Sequence, residues 1–202
     1  AQDTTYFNYT SHPKTEGLSI LTTKKGINTQ RRLTKGLIMH SSLAISSDGL
    51  PLGVLDQKTY CHEEKHEDRK IRKAQNDLLP IEEKESFRWL ESLQNTKDTL
   101  LDEKITVVTV CDREADIYDF FLLSHKIQSP VLVRAKSNRV INKKTTYSKK
   151  TGEKLWSFMK KQSCQDSIQV KIPKKEQIPS RLATLEIRFC EFKLNPPFNH
   201  PN

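Results

Sequence analysis

Apolar and polar residues alternate along the first sixty positions in the manner of β-strands. Residues 3–9, 35–46 and 51–60 are rich in β-branched, aromatic and other apolar side chains, and each segment is predicted to be a strand. Asp48 and Gly49 separate the second segment from the third, and a glycine readily takes the positive φ that a tight hairpin needs. The chain is therefore predicted to begin with an antiparallel meander of three strands.

Beyond the meander, helical periodicity alternates with apolar runs. Residues 80–94 place apolar side chains on one helical stripe, and Pro80 suits the first turn of that helix. Residues 104–111 form a continuous apolar run, which is typical of a strand covered on both faces. A second helix is predicted over 115–127 and a further strand over 130–136. The order βββαβαβ predicts an α/β fold, with a mixed five-stranded sheet and helices on both of its faces.

The last third of the chain differs from the rest in both pattern and charge. Residues 140–202 show weak helical periodicity and two strand-like alternations, so a small β-rich domain is predicted after a core that spans 1–139. The net charge is +9, yet residues 131–202 hold 16 Lys and Arg against 5 Asp and Glu, whereas 1–130 hold 18 against 20. Such asymmetry indicates a polyanionic partner, DNA or RNA, with an ordinary solvated lysine surface as the alternative.

Composition also bears on where the protein works. The sequence has no run of about 18 apolar residues, so it contains no predicted membrane span. Its first ten residues lack the basic and apolar regions of a signal peptide. The four cysteines are scattered and form no CxxC pair, which favours reduced thiols. These features predict a cytoplasmic protein.

Two aspartates are candidates for chemistry. The strand that ends at Asp112 is predicted to return beside the first strand, which carries Asp3. Two neighbouring carboxylates repel each other unless a divalent cation lies between them, and hard oxygen ligands suit Mg²⁺ or Mn²⁺. Two such ions can align the nucleophile and the leaving oxygen of a phosphodiester. The alternative is that Asp112 only caps the following helix, with Glu114 and Asp116 favouring the helix dipole.

Four segments occur along the chain in this order: QDTTYFNY, EKESFRWL, VVTVCDREADIYDF and VLVRAKSNR. Together they resemble the catalytic core of a bacterial DDE transposase of the insertion-sequence-four family, over nearly the whole chain. The resemblance implies a ribonuclease H-like fold with a β-rich insertion. It also implies that Asp3 and Asp112 are catalytic acids, which hold two Mg²⁺ or Mn²⁺ ions together with a distal glutamate.

The same resemblance implies a reaction and its partners. Enzymes of this family hydrolyse DNA at transposon ends and then join the 3′-hydroxyl to target DNA, and full-length relatives dimerise on DNA. A basic segment after the fifth strand contacts DNA in the family, which by position implies DNA-binding roles for Arg134, Lys136 and Arg139. The implied location is the bacterial cytoplasm, in association with the nucleoid.

The sequence also departs from the family pattern. The family's third acid is a glutamate within a Tyr-x-x-Arg-x-x-x-Glu signature, and no such spacing occurs here. The end-binding region that precedes the core in the family is missing, and the chain stops at Asn202, where the insertion is still incomplete. We therefore expect a fragment, truncated at its first strand and without the last catalytic helix, that is inactive alone. The alternative is a non-catalytic DNA-binding or regulatory remnant.

A zinc-peptidase motif also matches the sequence. Residues His62 to His66 read HEEKH and fit the H-E-x-x-H pattern, in which two imidazoles one helical turn apart bind zinc. The flanking residues are highly charged, so the segment has no apolar side with which to bury a helix, and no third ligand follows at a helpful spacing. A solvated polar stretch is the preferred interpretation, with a zinc hydrolase as a distant alternative.

Overall fold

The chain divides into two compact units, Ala1–Lys136 and Ser137–Asn202. The sequence prediction places the boundary between the core and the β-rich domain after residue 139. A computed structural model describes residues 1–25, 31–61, 79–100, 105–141, 153–197 and 200.

Six strands form one mixed sheet in the first unit: β1 Gln2–Asn8, β2 Ser19–Lys25, β3 Arg31–Ile45, β4 Pro51–Tyr60, β5 Thr109–Cys111 and β6 Val131–Val133. β1 pairs antiparallel with one edge of the long strand β3, whereas β2 and β4 pair end to end along its other edge. β5 runs parallel to β1, and β6 runs parallel to β5. The mixed α/β class predicted from the sequence is confirmed.

Two features of the sheet differ from the prediction. Besides the five predicted strands the sheet contains β2, which pairs with the part of β3 that β4 leaves open. Among the described residues 105–111 of the apolar run, only Thr109–Cys111 form a strand, since the partner strand β6 is itself three residues long and pairs with no more of them. The strand that leads to Asp112 is therefore short.

Two helices of the first unit, α1 Phe87–Thr99 and α2 Tyr118–Lys126, pack on the same face of the sheet. They share one buried cluster with the sheet and the turn before α2: Trp89, Leu90, Leu93, Cys111, Ala115 and Phe120. Val110 precedes Cys111 and is 45% exposed, and its partner Leu132 is 61% exposed. Because side chains alternate across a strand, these two lie on the face away from the helices. Among the described residues of the first unit, the prediction of helices on both faces is wrong.

Both helices also begin later than the sequence predicts. Residues Ile81–Glu83 form a single 3₁₀ turn, which ends at Lys84 in an extended conformation, so α1 does not start at Pro80. A second 3₁₀ turn spans Arg113–Ala115 and is followed by Ile117, whose extended backbone precedes α2. An extended residue cannot continue the helical hydrogen-bond ladder, which separates each turn from its helix.

The second unit combines short strands with one short helix. β7 Val140–Ile141 pairs with β8 Glu153–Lys154, and α3 Leu155–Lys160 follows directly. β9 Asp166–Ile172 and β10 Arg181–Ile187 form an antiparallel hairpin with seven paired positions. The two strand-like alternations of the sequence correspond to this hairpin.

The lengths of the helices can be compared with the length that a membrane span needs. A membrane-spanning helix needs about 20 predominantly apolar residues. α1 has 13 residues, and within the described ranges no helix has the length and apolar character needed to cross a bilayer.

Candidate active site

The sheet brings Asp3 and Asp112 to neighbouring positions. Gln2 pairs with Cys111 across the parallel strands β1 and β5, and each aspartate is the next residue along its chain. Adjacent strands lie about 4.8 Å apart. Gln2 and Cys111 are buried among the helices while both aspartates are exposed, so the two carboxylates lie on the open face. The predicted adjacency of the first strand and the strand before Asp112 is confirmed.

A backbone N–H group orients each carboxylate. Thr4 N donates to Asp3 Oδ1 at 2.8 Å, and Glu114 N donates to Asp112 Oδ1 at 2.7 Å. Among the described residues, no Lys, Arg or His forms an ion pair with either aspartate. The second oxygen of each carboxylate is thus left for another partner, such as a cation.

Asp112 is also a cap, but not the cap that the sequence predicts. Its side chain caps the 3₁₀ turn Arg113–Ala115, and α2 begins only at Tyr118. Glu114 and Asp116, predicted to favour the helix dipole, bond elsewhere: Glu114 pairs with Arg88, and Asp116 Oδ2 accepts from Lys136 N at 2.8 Å. Capping uses only one oxygen of Asp112, so it is compatible with a ligand on the other.

The basic segment after β6 begins beside Asp112. Cys111 pairs with Val133, and Arg134 N donates to Cys111 O at 3.2 Å. Asp3 in β1 and the residues that directly follow β5 and β6, Asp112 and Arg134, are therefore side by side across the three neighbouring strands. The side chains of Arg134 and Lys136 are exposed. Arg139 belongs to the second unit, where its carbonyl oxygen accepts from Leu155 N at 3.0 Å. The first unit therefore brings two of the three predicted DNA-binding residues to the end of the sheet that carries the acids.

The donor set partly fits a hard divalent cation. Two carboxylates are the ligands that Mg²⁺ and Mn²⁺ prefer, and their exposure leaves room for water and phosphate oxygens. Over the residues that the structure describes, no group of three or more His, Cys, Asp or Glu is placed to hold a metal. His62 to His66, the possible zinc motif, lies outside the described residues.

Two titratable side chains in the buried layer of the sheet, Cys111 and His40, are neutral at pH 7. Burial raises the pKa of the Cys111 thiol to about 12, helped by the charges of Asp112 and Asp3 and opposed by the N-terminal ammonium group. Burial lowers the pKa of His40 to about 4, and the nearby charge of Arg88 lowers it further. Negative charge is therefore concentrated on the exposed face, where a cation can reach it.

Arg88 is the site residue that the sequence analysis missed. It lies on α1 with only 10% of its side chain exposed. Its Nη2 donates to Glu114 Oε2 at 2.8 Å and its Nε donates to Thr4 Oγ1 at 3.2 Å, which connects α1 to the residues next to both acids. One signal was available: this arginine stands between two aromatic residues of the apolar stripe, in the sequence FRWL.

No family model matches the chain, and no curated protein matches it significantly. The resemblance to DDE transposases therefore remains a prediction that rests on four segments of the sequence, QDTTYFNY, EKESFRWL, VVTVCDREADIYDF and VLVRAKSNR. In the structure, Asp3, Asp112 and Arg134 lie at one end of the sheet.

Proposed function

We propose that this chain is part of a DNA transposase of the DDE type, from the insertion-sequence-four family, with a ribonuclease H-like core. The observation that carries the proposal is the pairing of Gln2 with Cys111, which sets Asp3 and Asp112 side by side on the open face of the sheet. The path β4-β3-β1-β5-β6, three antiparallel strands followed by two parallel ones, supports a ribonuclease H-like core.

The proposed chemistry is hydrolysis and joining of phosphodiesters at transposon ends and target DNA. Asp3 and Asp112 would hold Mg²⁺ or Mn²⁺, and the bound cation would activate the phosphodiester as a Lewis acid. The amides of Thr4 and Glu114 fix one oxygen of each acid, so the other oxygens are preset as ligands. Arg134 follows β6 beside Asp112, and its guanidinium group would bind a DNA phosphate.

The basic residues are proposed to hold the DNA. Arg134, Lys136 and Arg139 would contact phosphates, which fixes the position of the duplex but reads little sequence. The strong positive excess of residues 131–202 supports the same partner. A DNA substrate would place the protein at the bacterial nucleoid, in the cytoplasm.

A second candidate is a DNA-binding remnant without catalysis. It is favoured by the departure of the sequence from the family's Tyr-x-x-Arg-x-x-x-Glu signature, which supplies the third acid in the family. A two-metal site that lacks a ligand loses both alignment and charge neutralisation. We therefore expect this chain alone to bind cation and DNA without cutting or joining strands.

Mn²⁺ titration of the purified chain, followed by the loss of the free-ion electron paramagnetic resonance signal, tests the proposed site. We expect Asp3→Asn and Asp112→Asn each to weaken Mn²⁺ binding by about tenfold or more, because each removes a ligand. Asp98→Asn, which changes an exposed carboxylate at the far end of α1, is the matched control and should bind like the wild type. Equal affinities across all four proteins would refute the metal site.

The same proteins separate the two candidates on DNA. End-bearing DNA is incubated with the wild type and Mn²⁺, and the products are resolved on a denaturing gel. Binding without cleavage is the expected result. Cleavage that disappears in Asp112→Asn would show instead that the chain is a complete enzyme.

A further inference from the structure

The guanidinium group of Arg88 donates hydrogen bonds to two residues, Thr4 and Glu114, whose backbone amides hold the candidate acids Asp3 and Asp112. Arg88 donates from Nε to Thr4 Oγ1 at 3.2 Å and from Nη2 to Glu114 Oε2 at 2.8 Å. Thr4 N in turn donates to Asp3 Oδ1, and Glu114 N donates to Asp112 Oδ1. Each acid is thus held by the amide of a residue whose side chain binds Arg88.

We propose that Arg88 is a positioning residue that sets the spacing and orientation of Asp3 and Asp112 through Thr4 and Glu114. It touches neither acid and would touch neither cation nor DNA. The hydrogen bonds of Arg88 to Thr4 and Glu114 carry its effect on the orientation of the two acids. Its effect on cation binding rests on the proposed function.

The shape of the arginine side chain suits this role. All three of its nitrogens are used, since Nη1 donates to Glu85 O at 2.9 Å. The side chain leaves a helix that is anchored in the core by its neighbour Trp89 and by Leu93, so its origin is rigid. Lysine has one charged nitrogen and cannot form the same planar set of bonds.

A second contact fixes the Thr4 arm of the network. The Thr4 hydroxyl lies 2.8 Å from His40 Nδ1, and the His40 ring packs edge-on against Trp89 with ring centroids 4.5 Å apart. The hydroxyl is therefore held between Arg88 and a buried ring. Rotation of Thr4 would break a bond on either side, which makes the connection from α1 to β1 stiff.

Charge and geometry predict opposite effects for Arg88. Arg88 is positive, so its removal would strengthen a nearby cation site if it acted by charge alone. Loss of a positioning residue would instead weaken the site, because Asp3 and Asp112 would no longer share one arrangement. The sign of the change in Mn²⁺ affinity distinguishes the two roles.

The test compares Arg88→Gln, Arg88→Lys and the matched control Arg113→Gln. Arg113 is an exposed arginine directly after Asp112, so its replacement removes the same charge at the site. We expect Mn²⁺ to bind about tenfold more weakly to Arg88→Gln, to an intermediate degree to Arg88→Lys, and at least as tightly to Arg113→Gln. Circular dichroism and urea unfolding show that each variant is folded.

Hydrogen exchange of the Glu114 amide provides a readout that needs no metal. This amide donates to Asp112, and we expect it to exchange about tenfold faster in Arg88→Gln than in Arg113→Gln. If Arg88→Gln does not fold, Thr4→Ala removes one arm of the network without changing any charge, and it should weaken Mn²⁺ binding.

Two results would overturn the positioning role: unchanged exchange at Glu114, or Mn²⁺ binding by Arg88→Gln that equals or exceeds the wild type. A wild-type chain that binds no Mn²⁺ would refute the proposed metal site instead. In that case the exchange of the Glu114 amide still decides whether Arg88 fixes Asp112.

Discussion

Lowering the pH from 7 to 5 is expected to destabilise the first unit through His40. The imidazole is 1% exposed, packs on Trp89 and lies near Arg88, so a proton on the ring would be buried beside another positive charge. Burial, with Arg88 adding to it, lowers the pKa from the usual 6.5 to about 4. Asp56 opposes this shift only in part, as the smallest of the three effects.

The direction and size of the effect follow from linkage. Between pH 6.5 and 4 the unfolded chain binds a proton at His40 that the folded protein does not. The stability is therefore complete above pH 6.5 and falls as the pH drops towards 4. With these two pKa values, the loss at pH 5 is about 2 kcal/mol, a substantial part of the 5–15 kcal/mol typical of a domain.

Urea unfolding at pH 7, 6 and 5 measures this loss. Trp89 fluorescence reports on the His40 environment, and Trp156→Phe removes the other tryptophan, which lies in the second unit. Other groups also titrate in this range, so the informative quantity is the difference between the wild type and His40→Gln. We expect that difference in the free energy of unfolding to narrow by about 2 kcal/mol from pH 7 to pH 5.

His12→Gln is the matched control, because His12 is exposed and its replacement should leave the pH dependence unchanged. Parallel curves for the wild type and His40→Gln would refute the reasoning, since they would mean that His40 binds its proton equally well in both states. A narrowing seen equally in His12→Gln would refute the assignment to His40.

Two further predictions concern the sheet and the DNA contact. A Cβ on Gly36 would overlap the carbonyl oxygen of Phe7, so Gly36→Ala should separate β1 from β3. We expect this change to lower the free energy of unfolding in urea by about 3 kcal/mol or more. Gly49→Ala is the control: a Cβ there has open space, so the change should cost only about 1 kcal/mol for the positive φ of this residue. Equal costs would contradict the close approach of these strands. Arg134→Gln should weaken DNA binding and reduce the salt slope measured by fluorescence anisotropy by about 1, while Lys58→Gln, which removes an exposed cation paired with Glu91, should leave the slope unchanged.

Local pattern was enough to predict much of the sheet. β1 and β4 lie within a residue or two of the predicted segments, because alternation and the turn at Asp48 and Gly49 are local signals. β2 was missed because its place depends on an edge of β3 that β4 leaves open, which is a property of the assembled sheet. A strand whose partner is distant in sequence carries little local signature of that partner.

The apolar run before Asp112 shows a different limit. Continuous apolar character predicts coverage on both faces, yet Val108 and Val110 are about half exposed. Apolar composition shows that a segment tolerates burial, but it does not identify which helices or strands pack against each of its faces. Here α1 and α2 share one face, so within the described residues of the first unit the alternate residues of β5 have no helix above them.

Adjacency of strands and alignment of carboxylates are separate problems, and the order of strands along the sequence predicts only the first. A slip of one residue between β1 and β5 would keep the strands paired but turn Asp112 towards the opposite face from Asp3. The register is held by bonds from elsewhere in the fold: Gln2 Nε2 donates to Trp89 O, and Cys111 Sγ lies 3.5 Å from Gln2 Oε1. Arg88, one residue before Trp89, then holds the residues that orient both acids. The helix between the meander and β5 therefore does more than cover the sheet, because the segment Arg88–Trp89 fixes the alignment on which the candidate site depends.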